Sequence, residues 1–131
     1  MSDTVLTIIV AHSNLADALL TSVEKILGKQ DDTFIFSNEY DSMQVLASRI
    51  EDQIRETDPD HIVCFTDLKG GSCWTLAGML KRKFSSMIVI SGVNLPMLVT
   101  FFNNRQIMEP DELIEKTLAD GCRGITRLQE K

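Results

Sequence analysis

The chain has 131 residues, room for one domain of ordinary size and none for a separate cofactor domain. Hydrophobic residues make up 44% and charged residues 24%, the balance of a chain that buries a core without staples. Thirteen Lys and Arg against 19 Asp and Glu leave a net charge of −6, a poor surface for phosphate backbones and a better one for a basic partner.

Apolar runs such as residues 8–11 and 87–90 fall far short of the roughly 18 to 20 residues that cross a bilayer. No Lys or Arg precedes Lys25, so the basic start of a secretory signal is missing. Cys64, Cys73 and Cys122 form no CxxC pair, which argues against a zinc framework and against disulfides. The expectation is a cytoplasmic protein without metal or cofactor.

In chain order, residues 5–10 form a largely β-branched run that reads as a strand buried on both faces. A helix follows, with Leu15, Leu19, Val23, Ile26 and Leu27 at three- and four-residue steps, Ser13 or Asn14 to cap it and Gly28 to stop it. Residues 33–36 are a second strand. Asp41 and Ser42 then offer caps for a helix carrying Leu46, Ile50 and Ile54. Pro59 and Asp60 break that pattern, and residues 62–65 supply a third buried strand. Leu76, Met79 and Leu80 mark the next helix, and residues 87–90 the fourth strand. Pro96 suits the first turn of a helix running through Phe102. Pro110 opens the last helix, with Leu113, Ile114 and Leu118 inward and Gly121 beyond its end. The alternation predicts a doubly wound α/β fold, with a mostly parallel sheet covered by helices on both faces. Residues 123–128 alternate only weakly and fit an edge strand or a frayed end equally well.

Ligands of such sheets gather at the carboxyl ends of the strands. Three loops there are chemically unusual. The first carries His12, whose neutral ring offers a base, a ligand or a nucleophile against the plain alternative of a surface histidine. The third carries Asp67, which can accept the proton of one ring nitrogen, fix the tautomer and stabilise a positive ring. Gly70, Gly71 and Ser72 follow, where close-approaching N–H groups and a helix N-terminus offer an anion seat against the plain alternative of a turn that only caps the helix. The fourth carries Gly92, Asn94 and Pro96. No nucleotide-binding glycine motif is present. Lys69 reads as a solvated loop lysine, with a phosphoryl or partner contact as its functional alternative. Cys73, His61 and Trp74 read as structural.

Taken together, the segments Ile8-Ile9-Val10-Ala11-His12-Ser13, Thr66-Asp67-Leu68 with Gly70-Gly71-Ser72, and Gly92-Val93-Asn94-Leu95-Pro96-Met97-Leu98 resemble the mannose-type IIA proteins of the bacterial sugar phosphotransferase system. The resemblance covers nearly the whole chain and implies one IIA domain over residues 1–131. It implies a phosphorelay in which the phosphocarrier protein HPr gives a phosphoryl group to Nε2 of His12, which hands it to a histidine of a IIB component serving membrane IIC and IID components. By the same resemblance Asp67 holds the other ring nitrogen and Ser72 contacts the phosphoryl group; Lys69 and Asn94, on the loops of the same rim, are candidate partner contacts. It also implies a homodimer that exchanges an antiparallel C-terminal strand. Family members commonly carry an aromatic residue where Lys69 stands and proline where Cys73 stands, so this chain's partner-facing loop differs in shape and charge. The alternatives are a regulatory phosphohistidine module without sugar transport, and the phosphoryl donor subunit of dihydroxyacetone kinase.

Overall fold

The structure, a computed structural model, describes residues 3–129. Four strands, β1 (Val5–Ala11), β2 (Thr33–Ser37), β3 (His61–Thr66) and β4 (Ile88–Ile90), form one sheet in the order β2-β1-β3-β4 with every pairing parallel. Five helices connect and follow them: α1 (Leu15–Leu27), α2 (Met43–Thr57), α3 (Ser72–Lys83), α4 (Leu95–Asn104) and α5 (Pro110–Arg123). All seven residues of β1 are buried, because a strand at the middle of a sheet covered on both sides has no wet face.

The two-residue period of β1 divides the core. Val5, Ile9 and Ala11 face Leu19 and Val23 of α1, Leu98 and Phe101 of α4, and Leu113 of α5. Leu6, Ile8 and Val10 face Leu46 and Ile50 of α2 and Leu76 and Leu80 of α3. Phe65 and Phe101 meet edge to face, with ring centroids 5.1 Å apart.

The predicted helix faces need several corrections. Leu15 and Ile26 of α1, Met79 of α3 and Leu118 of α5 are exposed, since each lies at the border of an apolar stripe wider than the contact it makes. Asn14 stands at the start of α1 without a side-chain capping bond, whereas Ser42 caps α2 through the N–H of Val45. The fourth strand is shorter than expected, beginning at Ile88.

Gly121 lies inside α5 rather than past its end, and the reason is packing. A β-carbon there would stand 2.3 Å from Cγ of Met97, so glycine permits α5 to close on α4. Beyond α5, residues 125–129 have no regular secondary structure, and Ile125 and Leu128 are exposed.

Candidate functional site

The sheet order reverses between β1 and β3, whose onward connections run to opposite edges of the sheet, and the carboxyl ends of those two parallel strands carry His12 and Asp67. Oδ2 of Asp67 accepts two hydrogen bonds from one residue. The backbone N–H of His12 donates to it at 2.9 Å, and Nδ1 of the His12 ring lies 2.8 Å from it. Nδ1 therefore carries the ring proton of the neutral imidazole, and the Nε2 lone pair is free.

The partners differ in exposure as this division of labour requires. The His12 side chain is 47% exposed and Asp67 only 12%. Burial alone would raise the Asp67 pKa, but the His12 backbone and ring donors and the attraction of the ring outweigh it and leave the carboxyl below its ordinary value.

The third loop turns back beneath the ring. Gly70 has φ of 83°, a left-handed conformation that glycine adopts without strain, and the N–H of Gly71 donates to the carbonyl of Leu68 at 3.0 Å. Gly71 precedes α3, and a β-carbon on it would lie 3.5 Å from Cε1 of His12 and 3.2 Å from the carbonyl oxygen of Leu68. A side chain there would press on the Leu68 carbonyl and lie in contact with the ring. The exposed Ser72 opens α3, whose first-turn N–H groups have no acceptor within the helix and whose dipole favours an anion.

His12, Asp67, Gly70, Gly71 and Ser72 are thus brought together. Lys69 is exposed on the same loop, beside Leu68, which is 62% exposed. Asn94 has structural bonds at both ends of its amide: Oδ1 accepts from the N–H of Met97, capping α4, and Nδ2 donates to the carbonyl of Gly121. His61 sits at the start of β3, where its Nε2 lies 3.0 Å from Oδ2 of Asp3, at the opposite end of the strands. Trp74 is half-buried. Cys73 is buried behind Ser72, where burial and the charge of Asp67 push its thiol up to about 11.

The second strand's loop contributes what the sequence reading missed. Nδ2 of Asn38 donates to Oγ of Ser72 at 2.9 Å, and Oγ of Ser37 donates to the carbonyl of Ser13 at 2.6 Å, bracing the loop that bears His12. Ser37 ends β2 and Asn38 follows it, so only the strand's place beside β1 distinguishes them from ordinary polar residues at a strand end.

A half-exposed histidine with a fixed tautomer, set beside the N-terminus of a helix at the carboxyl ends of the central strands of a doubly wound sheet, is the arrangement this fold presents. The model of the family described as the PTS system fructose IIA component, EIIA-man, matches residues 7–118, and the chain belongs to this mannose-type IIA family of the phosphotransferase system. The sorbose-specific EIIA component of Klebsiella pneumoniae is 27% identical over 114 residues, covering 86% of this chain and 84% of that protein. The mannose-specific EIIAB component of Escherichia coli K12 is 29% identical over 131 residues, covering 98% of this chain, which spans only 41% of that longer relative. Among solved structures, a phosphotransferase system EIIA component from Streptococcus agalactiae superposes with a TM-score of 0.86 at 28% identity, covering 94% of this chain and 96% of that one. The mannose/sorbose-specific IIA subunit from Enterococcus faecalis, at 22% identity, shares the fold with a TM-score of 0.87, covering 98% and 97% of the two chains. The doubly wound fold expected from the alternation of elements is the fold of these proteins. No helix among the described residues is long and apolar enough to cross a membrane.

Proposed function

We propose that this protein is a cytoplasmic phosphohistidine carrier, a single IIA domain over residues 1–131, which takes a phosphoryl group from HPr on Nε2 of His12 and gives it to a IIB component. The observation that carries the reading is the double acceptance by Oδ2 of Asp67. One carboxylate oxygen holds both the backbone and the ring of His12, so the unshared pair of Nε2 has a fixed direction.

In the forward step the Nε2 lone pair attacks phosphorus in line. The bond from phosphorus to the donor's histidine nitrogen breaks, and its electron pair stays on that nitrogen. His12 gains positive character as the bond forms, and Asp67, already ionised, stabilises the ring without taking its proton. The phosphoryl oxygens meet the Gly70 to Ser72 segment, the first-turn N–H groups of α3 and the Ser72 hydroxyl. A phosphoramidate donor is energetic enough that positioning and charge stabilisation suffice, so this chemistry needs no cofactor. Transfer onward to a histidine of IIB reverses the same geometry.

The charge of −6 favours a basic carrier at long range, with Lys69 as a local exception beside the reacting face. Of the expected segment 123–128, Arg123 is the last residue of α5 and Gly124 caps it, so we assign only residues 125–128 to an antiparallel strand exchanged with a second subunit. Their exposed Ile125 and Leu128, and an open edge at β4 with Ile88 and Val89 half-buried, support that reading.

The test is intact-mass measurement after mixing with phosphorylated HPr. Wild type gains one phosphoryl group and His12→Ala gains none. An unchanged wild-type mass, or an equal gain in the variant, removes the assignment. Sedimentation as a stable monomer removes the exchanged strand.

A further inference from the structure

Cys73 brings a third kind of ligand to the site. One ligand atom each of His12, Asp67 and Cys73 lie within 4.8 Å of one another. A ring nitrogen, a carboxylate oxygen and a sulfur are the donor types of a tetrahedral zinc-class site with three protein ligands and one open position. Ligand atoms around such an ion stand roughly 3.3 to 3.7 Å apart, so the 2.8 Å gap between Nδ1 and Oδ2 need open only slightly, and no separation among the three ligand atoms exceeds 4.8 Å.

A second observation points to a ligand here. Oδ1 of Asp67 is fully buried and has no hydrogen-bond partner among the described residues. A buried carboxylate oxygen without a donor has a strong demand for positive charge. Carboxylate and thiolate together carry two negative charges, which balance a divalent cation and outweigh the opposing dipole at the start of α3.

We propose that His12, Asp67 and Cys73 form a site for a thiophilic divalent cation of the zinc class, and that its occupation closes His12 to phosphorylation. The second half rests on the relay reading above. On binding, the cation displaces the Cys73 proton to solvent and takes a lone pair from the ring. If Nε2 donates that pair, the nucleophile is capped. If Nδ1 donates it, the ring proton moves to Nε2, and that nitrogen again has no pair to offer. Either way cation and phosphoryl group exclude each other. The cation supplies no catalysis and acts as an off-state, and it depends on a cysteine at position 73.

The experiment titrates the reduced full chain with cobalt(II), whose thiolate charge-transfer and tetrahedral d–d bands report sulfur in the coordination sphere. One equivalent binds to wild type, zinc displaces it, and Cys122→Ser behaves as wild type. Cys73→Ser loses the thiolate band. His12→Gln, altered at an exposed ring, weakens binding at least tenfold without any demand on the core. In parallel, one equivalent of zinc abolishes the phosphoryl mass gain of wild type, a chelator restores it, and Cys73→Ser keeps its gain in zinc. Absence of a tetrahedral cobalt spectrum, a thiolate band that survives Cys73→Ser, cobalt affinity unchanged in His12→Gln, or equal zinc inhibition of Cys73→Ser would overturn the proposal. If wild type takes no phosphoryl group even without metal, the relay reading falls while the cobalt bands still decide the ligand set.

Discussion

Asn38 and Ser72, 34 residues apart in the chain, are joined by a 2.9 Å hydrogen bond in which the amide of Asn38 donates to the serine hydroxyl. With a lone pair of Oγ already engaged by a donor, the serine's own hydrogen is left to point at an incoming oxygen. Under the proposed relay, Asn38 acts through Ser72 as a positioning residue.

Asn38→Ala should therefore lower the rate of phosphoryl acceptance about three- to tenfold, the worth of one hydrogen bond. Asn38→Asp should be worse, because a carboxylate captures the Ser72 hydrogen and repels the phosphoryl oxygens. Single-turnover transfer from phosphorylated HPr measures both. Equal rates for Ala and Asp variants would show that Asn38 merely fills space.

Asp67→Asn removes the charge that holds the His12 ring, and should slow acceptance roughly 10- to 100-fold while leaving the fold intact. The pH dependence has a definite sign. The carboxyl is held below its ordinary value in the folded state, so the stability it contributes is complete above the ordinary carboxylate range and is lost as pH falls through the depressed value. Thermal melting followed from about pH 5 downward should lose less stability in Asp67→Asn than in wild type. A steeper acid loss in the variant would contradict the sign.

At the opposite end of the sheet, Nη1 of the buried Arg105 donates to Oγ1 of Thr7 at 3.0 Å and of Thr33 at 3.2 Å, and Nη2 to the carbonyl of Asp31, while the guanidinium lies over the Phe102 ring. Arg105→Ala strands these acceptors and leaves a void. It should cost about 3 kcal/mol in urea unfolding, without changing the chemistry at the far rim. A loss below about 1 kcal/mol would mean that other donors serve them.

Three cysteines should separate cleanly by alkylation. Burial pushes Cys64 up to about 12, Cys73 stands at about 11, and Cys122 is exposed. Native protein at pH 8 should take one label, at Cys122, and unfolded protein three. Rapid native labelling of Cys73 would show that its burial is transient.

The alternating elements were legible because the β-branched runs and the three- and four-residue steps of Leu46, Ile50 and Ile54 each match one periodicity. Helix borders such as Ile26 and Leu118 were not, since a stripe's apolar width says nothing of how much of it a neighbour covers. His12 and Asp67 stood out as polar residues at the ends of buried runs. Asn38 did not, because its role depends on strand order, which local pattern does not encode. The Cys73 grouping was hidden for a related reason. Ligand spacing rules look for neighbours in the chain, and residues 12, 67 and 73 meet only across β1 and β3.

The two bonds from His12 to a single oxygen of Asp67 leave the histidine with neither backbone nor ring free to follow a visitor. Under the proposed relay, all adjustment falls to the visiting proteins, which must bring phosphorus along one line to one point. Donor and acceptor then need the same ground and cannot stand on it together. Kinetics should be double-displacement, with parallel reciprocal plots, and an excess of unphosphorylated acceptor should compete with the donor rather than draw the reaction forward.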